Sequence, residues 1–137
     1  IKSDAQIIVA RSAIKTNDET KAKDAYAKLN KIAKGELKAE ALYYDAYFKN
    51  KEGKFDASNT VVEKIASDYS GYKFFGAKAL IIMAKNYFSL NDSFQATEIL
   101  QSVIDNFTEY ADVVAEAQKE LDTIKIEEAK RNSSITN

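Results

Sequence analysis

Few residue types in this chain could do chemistry, and their spacing works against most of them. Acid pairs stand at Asp18-Glu19 and Glu127-Glu128. Two carboxylates in reach of one atom can move protons or hold a divalent cation. Neighbours on a helix, however, project about 100° apart, and acids on helix faces are ordinarily solvated. The 137 residues include no Cys, His, Trp or Pro, and only four Gly, each isolated. That excludes zinc fingers, haem ligation, Cys nucleophiles, Ser-His triads and Gly-rich phosphate loops. The lone Met83 is expected to fill core space. We therefore expect no catalytic residue, no metal site and no cofactor.

Aromatic residues are the better lead. There are eight Tyr and seven Phe. Tyr43, Tyr44 and Tyr47 crowd one short stretch, and three faces of a single helix cannot all be buried. Tyr offers large contact area with few rotors to freeze, which suits a binding surface.

The elements that would position these residues are helical. Apolar residues recur at spacings of three and four: Ile7/Ala10/Ile14, Ala22/Tyr26/Leu29/Ala33 and Ala41-Leu42-Tyr44-Phe48, then Val61-Val62-Ile65, Ala79-Leu80-Met83-Tyr87, Ile99-Leu100-Val103 and Val113/Ala117/Leu121/Ile124. The pattern predicts an all-α chain of about seven helices. Asn17-Asp18, Gly35, Gly53, Ser70-Gly71 and Asn91-Asp92-Ser93 mark the breaks, and Thr108 is placed to cap the last helix. The composition, 45% hydrophobic and 30% charged, suits one soluble domain that buries about 68–70% of its unfolded surface. No run approaches the roughly 18–20 apolar residues of a membrane span. Residue 1 is Ile, no targeting segment precedes the first helix, and we expect further chain upstream. Residues 132–137 read as a frayed tail.

The chain also repeats. Ala10/Ala46/Ala84, Asn17/Gly53/Asn91, Ala22/Ser58/Ala96, Tyr26/Val62/Leu100 and Leu29/Ile65/Val103 align at spacings of 36 and 38. Ala41/Ala79/Ala117 and Tyr72/Tyr110 extend the 38-residue period. Each unit reads as an antiparallel helix pair that cannot bury its apolar faces alone, so stacked units share one core. The units fall at about 3–37, 38–72 and 73–109, with a cap at 110–131. Together they form one domain at 1–131. In unit two, Tyr47-Phe48 resembles Tyr87-Phe88 at an offset of 40, and Phe55 and Phe94 differ by 39. We expect residues 42–52 to be rotated or slipped by one residue.

Two helices per unit, a small residue in each and an Asn or Gly turn between them resemble tetratricopeptide repeats. The best-matching segments are Ala41-Leu42-Tyr43-Tyr44 to Gly53-Lys54-Phe55-Asp56, and Ala79-Leu80 through Tyr87-Phe88 to Phe94-Gln95-Ala96. The longer junctions at Asp68–Lys73 and Asn106–Tyr110 are similar to those of repeat proteins of the bacterial envelope, of the outer-membrane assembly lipoprotein and Tol-Pal accessory types. The resemblance implies a right-handed α-solenoid of three repeats plus a capping helix, and leans toward a bacterial periplasmic setting. It also implies that core columns fall on Asp45 and Lys49 in unit two, and that the first helix of each unit lines a concave groove. The groove positions would be Ile7, Arg11 and Lys15, then Tyr43, Tyr47, Asn50 and Lys51, then Ile81, Lys85 and Ser89. Family members that clasp a C-terminal carboxylate use Lys, Asn and Arg at such positions. Ile7, Tyr43 and Ile81 stand there in part, so that clasp is not expected.

The expected function is a non-catalytic interaction scaffold that holds a protein or peptide segment in this groove. The alternative is a structural spacer that stacks end to end on upstream repeats or on other copies. The charge is uneven: residues 1–38 carry a net +4, residues 39–91 +1 and residues 92–137 −6, which reads first as a set of solvated helix faces and otherwise as a guide to head-to-tail stacking or partner orientation. Nucleic acid is not an expected partner, since the total charge is −1 and Arg occurs only at Arg11 and Arg131.

Overall fold

The computed structural model describes residues 2–136, with side chains through Ser134. Seven helices follow one another: α1 (Ser3–Lys15), α2 (Glu19–Ile32), α3 (Gly35–Lys51), α4 (Phe55–Asp68), α5 (Lys73–Ser89), α6 (Ser93–Asn106) and α7 (Ala111–Thr136). Each odd helix packs on the even helix after it, α1 on α2, α3 on α4 and α5 on α6. Each even helix then packs on the next odd one. α3 also touches α5, and α5 touches α7. The result is a solenoid of helix pairs with one layer of odd helices and one of even helices, as the repeat predicts.

Small residues set the distance within each pair. Ala10, Ala46 and Ala84 are fully buried, as are Ala22, Ser58 and Ala96 opposite them. Ser58 stands in an apolar column, but its hydroxyl donates to the Ala46 carbonyl at 2.7 Å. The polar atom is therefore satisfied and its burial costs little. Tyr26, Val62 and Leu100, with Leu29, Ile65 and Val103, fill the space toward the next unit and are buried throughout.

The turns inside the pairs are copies of one another. Asn17, Gly53 and Asn91 all have positive φ, at 58°, 76° and 64°. The residue after each sends its N–H back to a carbonyl five residues earlier: Asp18 to Ala13, Lys54 to Lys49 and Asp92 to Tyr87. This is the left-handed helix stop that satisfies orphaned carbonyls. Asp18 and Asp92 then cap the following helices, accepting from the Lys21 and Gln95 amides at 3.1 and 3.0 Å. Lys54 holds that place in unit two and makes no side-chain cap.

A further column decides how units stack. Leu37, Ala41, Tyr44 and Phe48 of α3 face α2, while Phe75, Ala79, Ile82 and Asn86 of α5 face α4. Both sets are equivalent at an offset of 38, and Val113, Ala117 and Ile124 continue them in α7 against α6. The expected slip in residues 42–52 is therefore absent. Asp45 and Lys49 pair with each other one turn apart, both partly exposed, away from the core. They satisfy each other at the surface, and the offset runs unbroken through α3.

Three other details differ from the sequence reading. α7 starts after Tyr110, whose carbonyl accepts from the Val114 amide, and Thr108 makes no capping bond among the described residues. Gly35, with φ of 61°, opens α3 after Lys34 rather than closing α2. α7 also runs beyond residue 131, through Thr136, where a frayed tail was expected; Asn137 lies outside the described residues. Among the described residues no helix is long and apolar enough to cross a membrane.

The turn geometry yields a direct test. A Cβ at Gly53 would meet no atom within 4 Å, so only backbone conformation opposes substitution there. Gly53→Asn should be close to neutral, matching Asn17 and Asn91. Gly53→Val should cost about 1–2 kcal/mol, read as a shift in urea midpoint.

Candidate partner-binding surface

The acid pairs make structural contacts. Asp18 caps α2, and Glu19 accepts from Lys51 at 3.0 Å. Glu127 pairs with Lys130 and Glu128 with Arg131 along α7.

The layer of odd helices holds the ten groove positions, but it does not expose them all. Ile7, Tyr43 and Ile81 are interior, at 7%, 7% and 1% exposure. Ile7 packs with Ala25 and Leu29 of α2, Tyr43 with α4 and α5, and Ile81 with α6 and α7. The physical reason is the number of neighbours: α3 is flanked by α2, α4 and α5, so most of its faces are covered. Of the three neighbouring tyrosines only Tyr43 is buried, while Tyr44 and Tyr47 are half-buried. Their rings make one aromatic cluster with Phe48 and Phe75, centroids 4.9–6.4 Å apart.

Asn50 is also structural. Its amide donates to Asn86 at 2.8 Å, and Asn86 donates to Asn59 at 2.8 Å. This chain of amides ties α3, α5 and α4 together, and Asn86 is fully buried. At the open end of α3, Lys51 reaches Glu19 and sits 5.3 Å over the half-buried Tyr47 ring. Lys85 stands 3.9 Å from Glu120 of α7, and Ser89 is exposed at the end of α5.

Arg11 and Lys15 are brought together with residues that the sequence reading did not single out. They line a concavity of about 270 Å³ with Ile14, Tyr26, Glu40, Tyr44, Phe74, Phe75 and Lys78. Arg11 grips Glu40 with two bonds, Nε to Oε2 at 3.0 Å and a terminal nitrogen to Oε1 at 2.7 Å. The Tyr26 hydroxyl donates to the same carboxylate at 2.7 Å, and Tyr26 stacks on Tyr44 at 4.2 Å. Glu40 is a buried carboxylate fully engaged by α1 and α2. Its hydrogen bond holds Arg11 above the ordinary guanidinium range. Lys78 lies 4.9 Å over Tyr43 and 5.5 Å over Phe74. Among the described residues neither Lys15 nor Lys78 has a carboxylate within ion-pair distance. Phe74 remains 40% exposed. Glu40 and Lys78 share an alignment column three residues ahead of Tyr43 and Ile81, and that charged column was the available signal.

Residues 78–109 match the family model of the tetratricopeptide repeat. The match spans one unit, the second helix pair's neighbour built from α5 and α6, and it supports the tetratricopeptide repeat reading of the chain. Such repeats generally mediate protein–protein interaction and are generally non-catalytic scaffolds. Comparison with curated proteins and with solved structures gave no match.

The buried tyrosines give a pH signature. Burial pushes the Tyr43 hydroxyl well above its ordinary range. Burial first, and then the Glu40 hydrogen bond, does the same to Tyr26. The folded state therefore keeps protons that the unfolded chain loses above about pH 10. Stability should be intact below that pH and fall as pH rises past it, by about 1.4 kcal/mol per pH unit for each such tyrosine. Urea midpoints between pH 9 and 11.5 should show this fall, and Tyr43→Phe should lessen its slope.

Proposed function

We propose that this chain is a non-catalytic scaffold that binds a protein or peptide segment on its odd-helix layer. The single observation that carries the reading is the concavity across α1, α3 and α5. There the part-exposed Phe74 and the half-buried Tyr44 and Phe75 adjoin Lys15 and Lys78, two cations with no carboxylate partner among the described residues. Aromatic area supplies contact, and cations beside it supply orientation. The tetratricopeptide match over residues 78–109 supports the same reading. Of the ten expected groove residues, Arg11, Lys15, Tyr47, Lys51, Lys85 and Ser89 stay in this proposal as contact residues. Ile7, Tyr43, Asn50 and Ile81 enter it as supports beneath or beside the surface. The unit boundaries at about 37, 72 and 109 belong to the reading as well. So does a bacterial envelope setting, which rests on the length of the junctions between units.

Arg11 is a support as much as a contact, because it holds Glu40. The surface is therefore best probed where a side chain makes no buried hydrogen bond. Phe74→Ser and Lys78→Glu should each weaken an isolated binding partner about tenfold or more, since anchors of this kind dominate interfaces. Their thermal midpoints should stay near that of the parent chain. Titration calorimetry with a partner recovered by the parent chain measures the first, and circular dichroism the second. Unchanged affinity in both variants would remove this surface from the proposal.

A further inference from the structure

The stacking column has a fourth member that no other described residue covers. An offset of 36 places Ala5, Ile8 and Ser12 of α1 in register with Ala41, Tyr44 and Phe48 of α3. A further 38 reaches Ala79, Ile82 and Asn86 of α5. In α3 and α5 these residues are buried or half-buried against α2 and α4. In α7 the column continues as Ala117, Glu120 and Ile124, with Ala117 and Ile124 fully buried against α6 and Glu120 half-buried beside Lys85. In α1 all three residues are exposed, Ile8 at 66%. The same surface that forms three helix–helix interfaces within the chain is thus presented bare on α1.

The other end of the stack does not mirror this. The face that α5 turns to α6 includes Ala77, Ile81, Ala84 and Phe88. Adding 38 gives Ala115, Lys119, Asp122 and Ile126 in α7, all exposed. Lys119 and Asp122 put two charges at the centre of that face, between Ala115 and the exposed Ile126, whereas Ala5, Ile8 and Ser12 carry none.

We propose that the Ala5/Ile8/Ser12 face of α1 is the docking site of a further helix pair of the same repeat type, whose second helix packs there as α2 packs on α3 and α4 on α5. The interface is continuous with those already formed, and the chemistry of the occupant follows from them. α2 with its C-cap offers Tyr26, Leu29 and Ala33 to this column, and α4 with its C-cap offers Val62, Ile65 and Tyr69. The occupant is a helix with such a row at spacings of three and four. A second copy of this chain has no such row to spare, because α3, α5 and α7 cover those of α2, α4 and α6. Ala5 and Ser12 are small enough for close approach, and Ile8 is the residue that would enter the partner helix's groove.

The experiment adds the missing layer. A copy of residues 35–74 placed directly ahead of Ile1 preserves the spacing by which Phe75 and Ala79 follow α4. Amide exchange at residues 5–12 should slow at least tenfold, and the urea midpoint should rise. Ile8→Lys should leave the 137-residue chain nearly unchanged and should remove the gain in the extended one. No added protection, or an equal effect of Ile8→Lys on both chains, would overturn the proposal. If the added unit does not fold, a synthetic peptide of residues 54–72, added at millimolar concentration, gives the second readout. Its amide shift changes should cluster at Ala5, Ile8 and Ser12, and changes elsewhere or none would count against the site. A concentration-dependent dimer abolished by Ile8→Lys would make the occupant a second copy and would also overturn it. Binding of a partner through Phe74 and Lys78 should be insensitive to Ile8→Lys, which separates this site from the proposed one.

Discussion

The fold rests on contact between each odd helix and the even helix before it. A helix pair of about 30 residues cannot bury enough apolar surface to be stable alone. Stability comes from the column that joins one pair to the next. Its centre is an alanine each time, Ala41, Ala79 and Ala117, at 1%, 0% and 0% exposure. A methyl group at that place lets the helix axes come close, and the larger residues one turn earlier, Leu37, Phe75 and Val113, then fill the flank. Two further contacts fix the register. The amide chain Asn50–Asn86–Asn59 joins α3, α5 and α4, and the Ser58 hydroxyl ties α4 to α3. Buried polar groups of this kind specify one alignment, because any slip would leave them without partners.

The candidate binding surface depends on the same packing. Tyr26 of α2 stacks on Tyr44 of α3 and donates to Glu40, and Glu40 holds Arg11 of α1. Three helices therefore fix the floor of the concavity. Its rim, with Lys15, Phe74 and Lys78, needs no such ties and is left partly open. A fixed floor with adaptable cations at its edge limits the ordering cost of binding. The exposed ion pairs elsewhere, such as Lys28–Asp24 and Lys51–Glu19, contribute little to this arrangement, since solvent screens them.

Much of the architecture was legible in the sequence because the repeat is carried by residue size. Alanines at 10, 46 and 84 and turn residues at 17, 53 and 91 mark places where only small or left-handed-tolerant residues fit. Those requirements survive translation into a string of letters. The groove was less legible because exposure depends on how many helices surround a position. Tyr43 and Ile81 lie on a first helix, but neighbours on several sides cover them, while Ile7 is buried in a cluster formed mainly with α2. Asp45 and Lys49 misled for the opposite reason: their charges suggested a rotated helix, but an ion pair one turn apart lets them stand at the surface without moving the backbone. The pairing of Glu40 with Arg11 and Tyr26 spans 29 and 14 residues, and no periodicity reports a contact of that kind.

One alanine column sets the stacking distance, and substitution within that column measures it directly. Leucine placed in turn at Ala5, Ala41, Ala79 and Ala117 adds the same volume to four equivalent positions. Urea unfolding of the four variants should show losses of about 1–3 kcal/mol at Ala41, Ala79 and Ala117, where a neighbouring helix is already in contact. At Ala5 the loss should be within about 0.5 kcal/mol, as for an ordinary surface change. Equal losses at all four positions, or tolerance at Ala79, would contradict the account.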